Sequence, residues 1–247
     1  AIGIEGKMGR RNVPSLIYVS YNPYFFFEGG SPTLEAQTLG PIEDENEQGF
    51  NAKLLVDRLK GNAFYERWAQ KSYGMEMKLF VIVSALASFE RTLISANSPY
   101  DRAILGDSSA MSEAQWRGKK IFFSDKTQCA SCHPAPLFTD FSLQNIGLYK
   151  EYDDKGRYRV SLEEKDKGKF KTPSLRNVFL HPPYMHDGSI KNLDEVVQHF
   201  NLGGFGHINQ SDKIRPLGLS KQEKQDLVAF LKALTDQGIT TEPKWVP

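Results

Sequence analysis

The sequence predicts an all-α protein with long loops. Three observations carry this. Capped, helix-period apolar patterns recur in both halves of the chain. Alternating strand patterns are absent. And the run Cys129-Ala130-Ser131-Cys132-His133 reads as a c-type haem attachment site.

The chemistry explains that run. Two thiols one helical turn apart can each form a thioether to a haem vinyl group, and the next side chain can give an imidazole nitrogen to iron. A thioredoxin-like redox pair has no need of His133. A zinc site needs about four ligands, and the chain holds only 2 cysteines. Haem is attached to such motifs outside the bacterial cytoplasm, so a periplasmic or otherwise exported protein is expected.

The 247 residues suffice for one large or two small domains. Hydrophobic residues make up 40% and charged residues 25%, ordinary for a globular chain. A net charge of +1 gives no global field to attract nucleic acid or an anionic membrane. The first residues, Ala1 to Lys7, contain no apolar signal core. The chain is therefore expected to be processed, or to begin partway through something longer. The apolar run Leu79 to Ala87 is too short to span a bilayer.

Residues 1–50 are rich in Gly, Pro and aromatics and read as loops with short helical turns. The acidic run Glu43 to Glu47 reads as a solvated loop. It is no EF-hand, because Leu55 stands where a bidentate Glu is required. Helices are expected over Asn51 to Leu59, Asn62 to Lys71 and Glu76 to Ser95, the last apolar almost all round and so buried between neighbours. The segment Gly106 to Ser109 reads as a linker, dividing the chain into 1–106 and 107–247. Ser112 with Gln115 makes a capping box for a helix through Phe123, with Gly118 and Phe122 on one face. Leu148 to Ser161 reads as a charged excursion or small hairpin, and Lys165 to Lys171 as exposed. Asn192 caps a helix with Leu193, Val196, Val197 and Phe200 on one face. Ser220 and Glu223 cap the last helix, whose face is Leu227, Phe230, Leu231 and Leu234.

Several further stretches, in this order, resemble the bacterial dihaem cytochrome c peroxidases and the related MauG enzymes. They are Arg11 to Leu16, Phe26 to Gly29, Leu34 to Gln37 with Gly40 to Ile42, Ala85 to Leu93, Ser98 to Arg102, Lys171 to Val178 and Pro183 to Gly188. The resemblance implies two cytochrome c-like domains, each with a haem, and a calcium ion between them. Residues 1–106 would be the remainder of an N-terminal, peroxide-site domain, incomplete in this chain. Residues 107–247 would be the C-terminal domain with its covalent haem. The first haem motif would lie upstream of Ala1. The implied activity is peroxide-dependent oxidoreduction. Members take electrons from a small cytochrome or copper protein, or oxidise residues of a partner protein. The competing reading is an electron-transfer cytochrome, which needs only Cys129, Cys132 and His133.

Carried over from the family, Glu47 falls on the peroxide-site carboxylate and Gln37 on a glutamine of the same pocket. A carboxylate there suits general acid–base transfer between peroxide oxygens. Asn12 and the backbone carbonyls of His181 and Pro183 match the calcium ligands, and such oxygen donors suit that ion. Two positions depart from the family. Phe27 stands where a tryptophan usually lies between the haems, and phenylalanine is much harder to oxidise. Phe200 stands at the second axial position of the C-terminal haem and cannot bind iron. An open site or a bound water is expected there, ahead of Met185, His199 or His207. His186 is expected to orient the haem surroundings by hydrogen bonding.

Overall fold

The computed structural model describes residues 2–241. They divide into two compact units, one of residues up to Phe26 with Ser31–Leu93, the other of Phe27–Gly30 with residues from Ile94 onward. Helices dominate both, as the capped patterns predict.

The first unit holds α1 (Leu34–Glu43), α2 (Ala52–Lys60), α3 (Ala63–Tyr73) and α4 (Leu79–Arg91). Its N-caps follow the sequence. Asn51 accepts from the Lys53 and Leu54 amides, and Asn62 from that of Phe64. Helix α1 corrects the expectation of loops throughout residues 1–50. Thr33 caps it by accepting from the Ala36 amide. Pro41 sits in the last turn of α1, where it supplies no amide to the carbonyl one turn earlier. A β-carbon on Gly40 would lie 2.7 Å from the Phe26 ring, so only glycine admits that ring against the helix. Arg91 and Glu35 pair at 2.7 Å between α4 and α1, beside a small core of Val19, Phe25, Leu34 and Ala87.

Helix α4 is shorter than the expected Glu76 to Ser95 and is not buried all round. Phe80, Leu86 and Phe89 are 58%, 40% and 50% exposed. Only the stripe of Val81, Ile82, Val83 and Ala87 is buried. An all-apolar pattern fixes helix length and direction poorly, because every face reads as a core face.

The second unit holds α5 (Pro99–Ile104), α6 (Glu113–Phe122), α7 (Tyr158–Ser161), α8 (Leu193–Leu202) and α9 (Lys221–Ala233). Reciprocal capping boxes start α5 at Ser98, α6 at Ser112 and α9 at Ser220. Helices α6 and α9 touch backbone to backbone. A β-carbon on Gly118 would lie 1.9 Å from the Asp226 carbonyl oxygen. Arg117 brackets that contact with two bonds of 2.9 Å to the Asp226 carboxylate. Leu227, Phe230, Leu231 and Leu234 are buried as the pattern of α9 predicts. Tyr100, Phe122, Phe138 and Phe230 close the core edge to face, with ring centroids 5.1 to 6.1 Å apart.

Two short strands, β1 (Leu143–Gln144) and β2 (Phe170–Lys171), pair antiparallel. They correct the reading of Leu148 to Ser161 as a hairpin, since the ladder closes the excursion from outside it and α7 lies within. Lys171 also corrects the reading of Lys165 to Lys171 as exposed. Burial pushes its ammonium pKa down to about 8, although Glu28 opposes the shift.

One buried ion pair ties the second unit together. Arg176 gives two bonds to Asp101, of 2.9 and 2.8 Å, and a third of 2.7 Å from Nε to the Pro136 carbonyl. Burial alone would raise the Asp101 carboxyl pKa. The bonds from Arg176 and Ser98 outweigh it and hold the carboxyl below its usual range.

Arg176→Met leaves a buried carboxylate unpaired and is expected to destabilise the protein by about 3–5 kcal/mol in urea unfolding. Because the folded pKa of Asp101 lies below its unfolded value of about 3.9, the pair's contribution is present above that pH and is lost as pH falls through the folded value. The difference between wild type and Asp101→Asn is therefore expected to shrink on acidification.

Candidate functional site: a haem attachment turn and a separate Gln37–Glu47 segment

The turn Cys129–Ser131 follows Gln128, whose φ of 53° reverses the chain after α6. The His133 amide bonds the Cys129 carbonyl at 2.9 Å, completing one helical turn. Both thiols are unpaired by any disulfide and partly buried. Burial pushes the Cys129 thiol pKa up, which keeps it protonated and inert until it is attacked or alkylated. Lys213 Nζ approaches the Cys132 sulfur at 3.8 Å and the Ser131 carbonyl at 3.3 Å.

Backbone carbonyls hold His133, that of Phe138 first and that of Pro173 beside it. Its Nδ1 donates to the Phe138 oxygen at 2.8 Å. That bond places the remaining lone pair on Nε2, the arrangement found when a histidine ligates a metal. Burial pushes the imidazole pKa down, so the ring is neutral and free to coordinate. Phe138 is fully buried and takes a left-handed backbone at φ 54°. Its carbonyl also accepts from the Leu175 amide at 3.2 Å. Arg176 sits 5.8 Å over its ring. Two free thiols, a neutral imidazole of fixed tautomer and an apolar surround of Ala130, Leu175, Tyr184 and Leu217 fit a covalent haem.

His199, His207 and His186 each have partners of their own. His199 is buried, and its Nε2 bonds the Ile146 carbonyl at 3.1 Å. His207 is not the undirected loop residue its Gly-rich surroundings suggest. Its Nδ1 accepts from Asn145 at 3.1 Å and from the Asn209 amide at 2.9 Å, which places the ring proton on Nε2. His186 is 8% exposed and stacks on Phe170 at 3.8 Å. Met185 is half-buried with a left-handed φ of 73°. Phe200 is half-buried and meets the His199 ring edge to face at 5.3 Å. His181 and Pro183 lie on an exposed turn of the second unit. The Phe27 carbonyl accepts from the Lys171 amide at 2.6 Å. Arg157 bonds the Glu28 and Gly29 carbonyls at 3.0 and 3.1 Å.

In the first unit, Gln37 is 9% exposed, and its Oε1 is buried without a hydrogen-bond partner among the described residues. Such an orphan costs about 1–3 kcal/mol and is what a bound ligand or water satisfies. Glu47 lies on the turn beyond α1, and its amide bonds the Asp44 carbonyl at 3.0 Å. Partial burial and the neighbouring Asp44 charge push its carboxyl pKa up, toward the range a general acid needs. Asn12 is half-buried, and its Oδ1 accepts from the Val13 amide at 2.9 Å. Glu90 was not singled out by sequence, yet its Oε2 is also buried without a partner and burial raises its pKa.

Sequence reasoning missed Phe138 and the Asp101–Arg176 pair as supports of His133. The signal was present, since Asp101 and Arg176 lie inside two of the stretches shared with the family, but nothing in one sequence joins positions so far apart.

The thiol pair, its histidine and the helical core around them define a c-type haem protein. The comparisons narrow this further. A family model described as di-haem cytochrome c peroxidase matches residues 1–109. A methylamine utilization protein MauG of Methylorubrum extorquens is 36% identical over 227 residues, covering 91% of this chain and 64% of that protein. Cytochrome-c peroxidase IdrP1 of Denitromonas iodatirespirans is 34% identical, over 98% of this chain and 73% of that protein. The crystal structure of a MauG-like protein associated with microbial copper homeostasis superposes with a TM-score of 0.91 at 30% identity, covering 99% of this chain and 81% of that one. The chain belongs to the dihaem cytochrome c peroxidase and MauG family.

Cys129→Ala and Cys132→Ala are each expected to leave at most one thioether to haem, read as a shifted pyridine haemochrome band, and the double variant none. Lys171 is expected to titrate near 8 in NMR of the reductively 13C-methylated protein. Glu28→Gln should lower that value further, because Glu28 favours the charged form.

Proposed function

We propose that this chain is the larger part of a hydrogen-peroxide-dependent dihaem oxidoreductase. The observation that carries the reading is Gln37, a buried amide with an unsatisfied oxygen, ten residues before a carboxylate of raised pKa at the position where the family has its acid–base group. A pure electron carrier has no use for such a pair.

Haem, when bound, supplies the redox chemistry that cleaves peroxide. The chain's residues supply the rest. Cys129 and Cys132 would fix the C-terminal haem covalently, not the one at the peroxide site. His133 presents Nε2, held in place by the Phe138 carbonyl. Gln37 offers a hydrogen-bonding amide in a site otherwise short of partners. Glu47 takes a proton from one peroxide oxygen and returns it to the other, which becomes the leaving water. Its raised pKa favours holding that proton between the two transfers.

Several finer points belong to the same proposal. The chain comprises the remainder of a peroxide-site domain, 1–106, and a haem-bearing domain, 107–247. A second haem is carried on the N-terminal part of the whole protein. Calcium is a further bound ion of the whole protein. The protein works in the periplasm. Phe200 in place of Met removes the ligand that raises a donor haem's potential. This favours oxidation of a partner protein, as in the MauG branch, over electron uptake from a small cytochrome or copper protein.

Hydrogen peroxide added to the reduced holoprotein is expected to oxidise haem, followed by its absorption spectrum; no spectral response would overturn the proposal. Glu47→Gln should slow that oxidation by roughly 100-fold or more.

A further inference from the structure

The second unit contains a row of aromatic rings running from the surface to a buried histidine. Tyr149 is 37% exposed. Its ring centroid lies 5.5 Å from that of Tyr152. Tyr152 lies 6.1 Å from Phe170 and from His186, and 5.2 Å from His207. Phe170 and His186 are stacked at 3.8 Å. Each gap is within van der Waals reach of its neighbour, so an electron can pass along the row without crossing solvent.

The outer phenol has an unusual partner for a surface tyrosine. Tyr149 Oη donates to Asp187 Oδ2 at 2.6 Å. Asp187 is fixed in turn by the Ser189 amide, which bonds Oδ1 at 3.0 Å. Burial and the Asp187 carboxylate both raise the Tyr149 pKa, so the phenol keeps its proton. Burial would raise the Asp187 pKa, but the bonds from Tyr149 and Ser189 outweigh it and keep the carboxylate ionised. A protonated phenol on an ionised carboxylate is the arrangement needed for oxidising tyrosine at neutral pH, because the proton has somewhere to go. The inner phenol is held too: Tyr152 Oη donates to Asn145 Oδ1 at 3.1 Å and accepts from the Leu148 amide at 2.8 Å. Packing alone explains the ring contacts but not a carboxylate set on the exposed hydroxyl.

We propose that Tyr149, with Asp187 as its proton acceptor and Tyr152 as the next ring inward, is a redox-active electron-entry point for a one-electron donor docking on this surface. In the forward step Tyr149 gives one electron inward and its hydroxyl proton to Asp187, leaving a neutral phenoxyl radical beside a neutral carboxylic acid. An electron from the external donor and the proton returned by Asp187 then restore the phenol. Reducing one hydrogen peroxide to two waters takes two electrons and two protons, so two passages balance one turnover, with the protons drawn from solvent. The source of the oxidising equivalents rests on the proposed function; the redox character of Tyr149 does not.

Two measurements on the full-length holoprotein separate these. In the first, photogenerated ruthenium(III) tris(bipyridine) oxidises the protein and mass spectrometry maps the modified tyrosines. Tyr149 is expected to react before Tyr21 and Tyr65, which are more exposed at 56% and 43% but have no carboxylate partner among the described residues. Asp187→Asn should slow the Tyr149 reaction several-fold. Earlier reaction of Tyr21 or Tyr65, or no effect of Asp187→Asn, would overturn the inference whatever the protein does with peroxide. In the second, hydrogen peroxide is added to protein containing ring-deuterated tyrosine and freeze-quenched for EPR. A tyrosyl radical narrowed by deuteration and missing in Tyr149→Phe is expected. A haem that responds to peroxide while Tyr149→Phe keeps the same radical yield would sink the inference and spare the proposed function. A haem that does not respond would sink the proposed function and leave the photochemical result to decide.

Discussion

The ion pair between Asp101 and Arg176 is the constraint on which the second unit depends. Two charges taken out of water are stable only if every bond is made. Here Ser98, Arg176 and the Pro136 carbonyl make them. Satisfying Arg176 fixes the segment from Pro136 to Phe138 against α5. That in turn holds Phe138 in a backbone conformation it would otherwise avoid, with its ring buried and its carbonyl aimed at His133. The orientation of an imidazole thus traces back, through one peptide group, to a charge pair over thirty residues away in either direction along the chain.

The first unit uses different means for a similar end. Glu35 and Arg91 pair where α1 meets α4, and Leu34 and Ala87 pack beneath them. Gly40 lets the Phe26 ring lie against the helix. Gln37 projects from a helix braced on both sides, so its unsatisfied oxygen is a stable feature rather than a fraying end.

Most of what is local was legible in the sequence. Asn51, Asn62, Ser112, Asn192 and Ser220 announced their helices, because capping is decided within four residues. The Cys129 to His133 spacing announced the cofactor for the same reason. Helix α1 was hidden by Gly40 and Pro41, whose turn-forming reputation is true in mid-helix and weaker at a last turn. The extent of α4 was hidden by an absence of polar residues to mark its faces. The β1–β2 ladder, the partners of His199 and His207, and the dehydration of Lys171 all depend on groups far apart in sequence, and no periodicity reports those. Met185 and Phe200 show the same division. Their chemistry was readable, since one has a ligating sulfur and the other has no donor at all, but their surroundings were not.

The contact of α6 with α9 has a consequence for how the molecule is made. Arg117 and Asp226 are 109 positions apart. The core cannot shut until almost the whole chain is available, and closing so long a loop is entropically slow. Until that closure the two thiols stand in open chain, within reach of whatever enzyme joins them to a porphyrin. Gly118 then locks the door behind the cofactor: it is the residue without bulk that allows α9 to lie flat across α6.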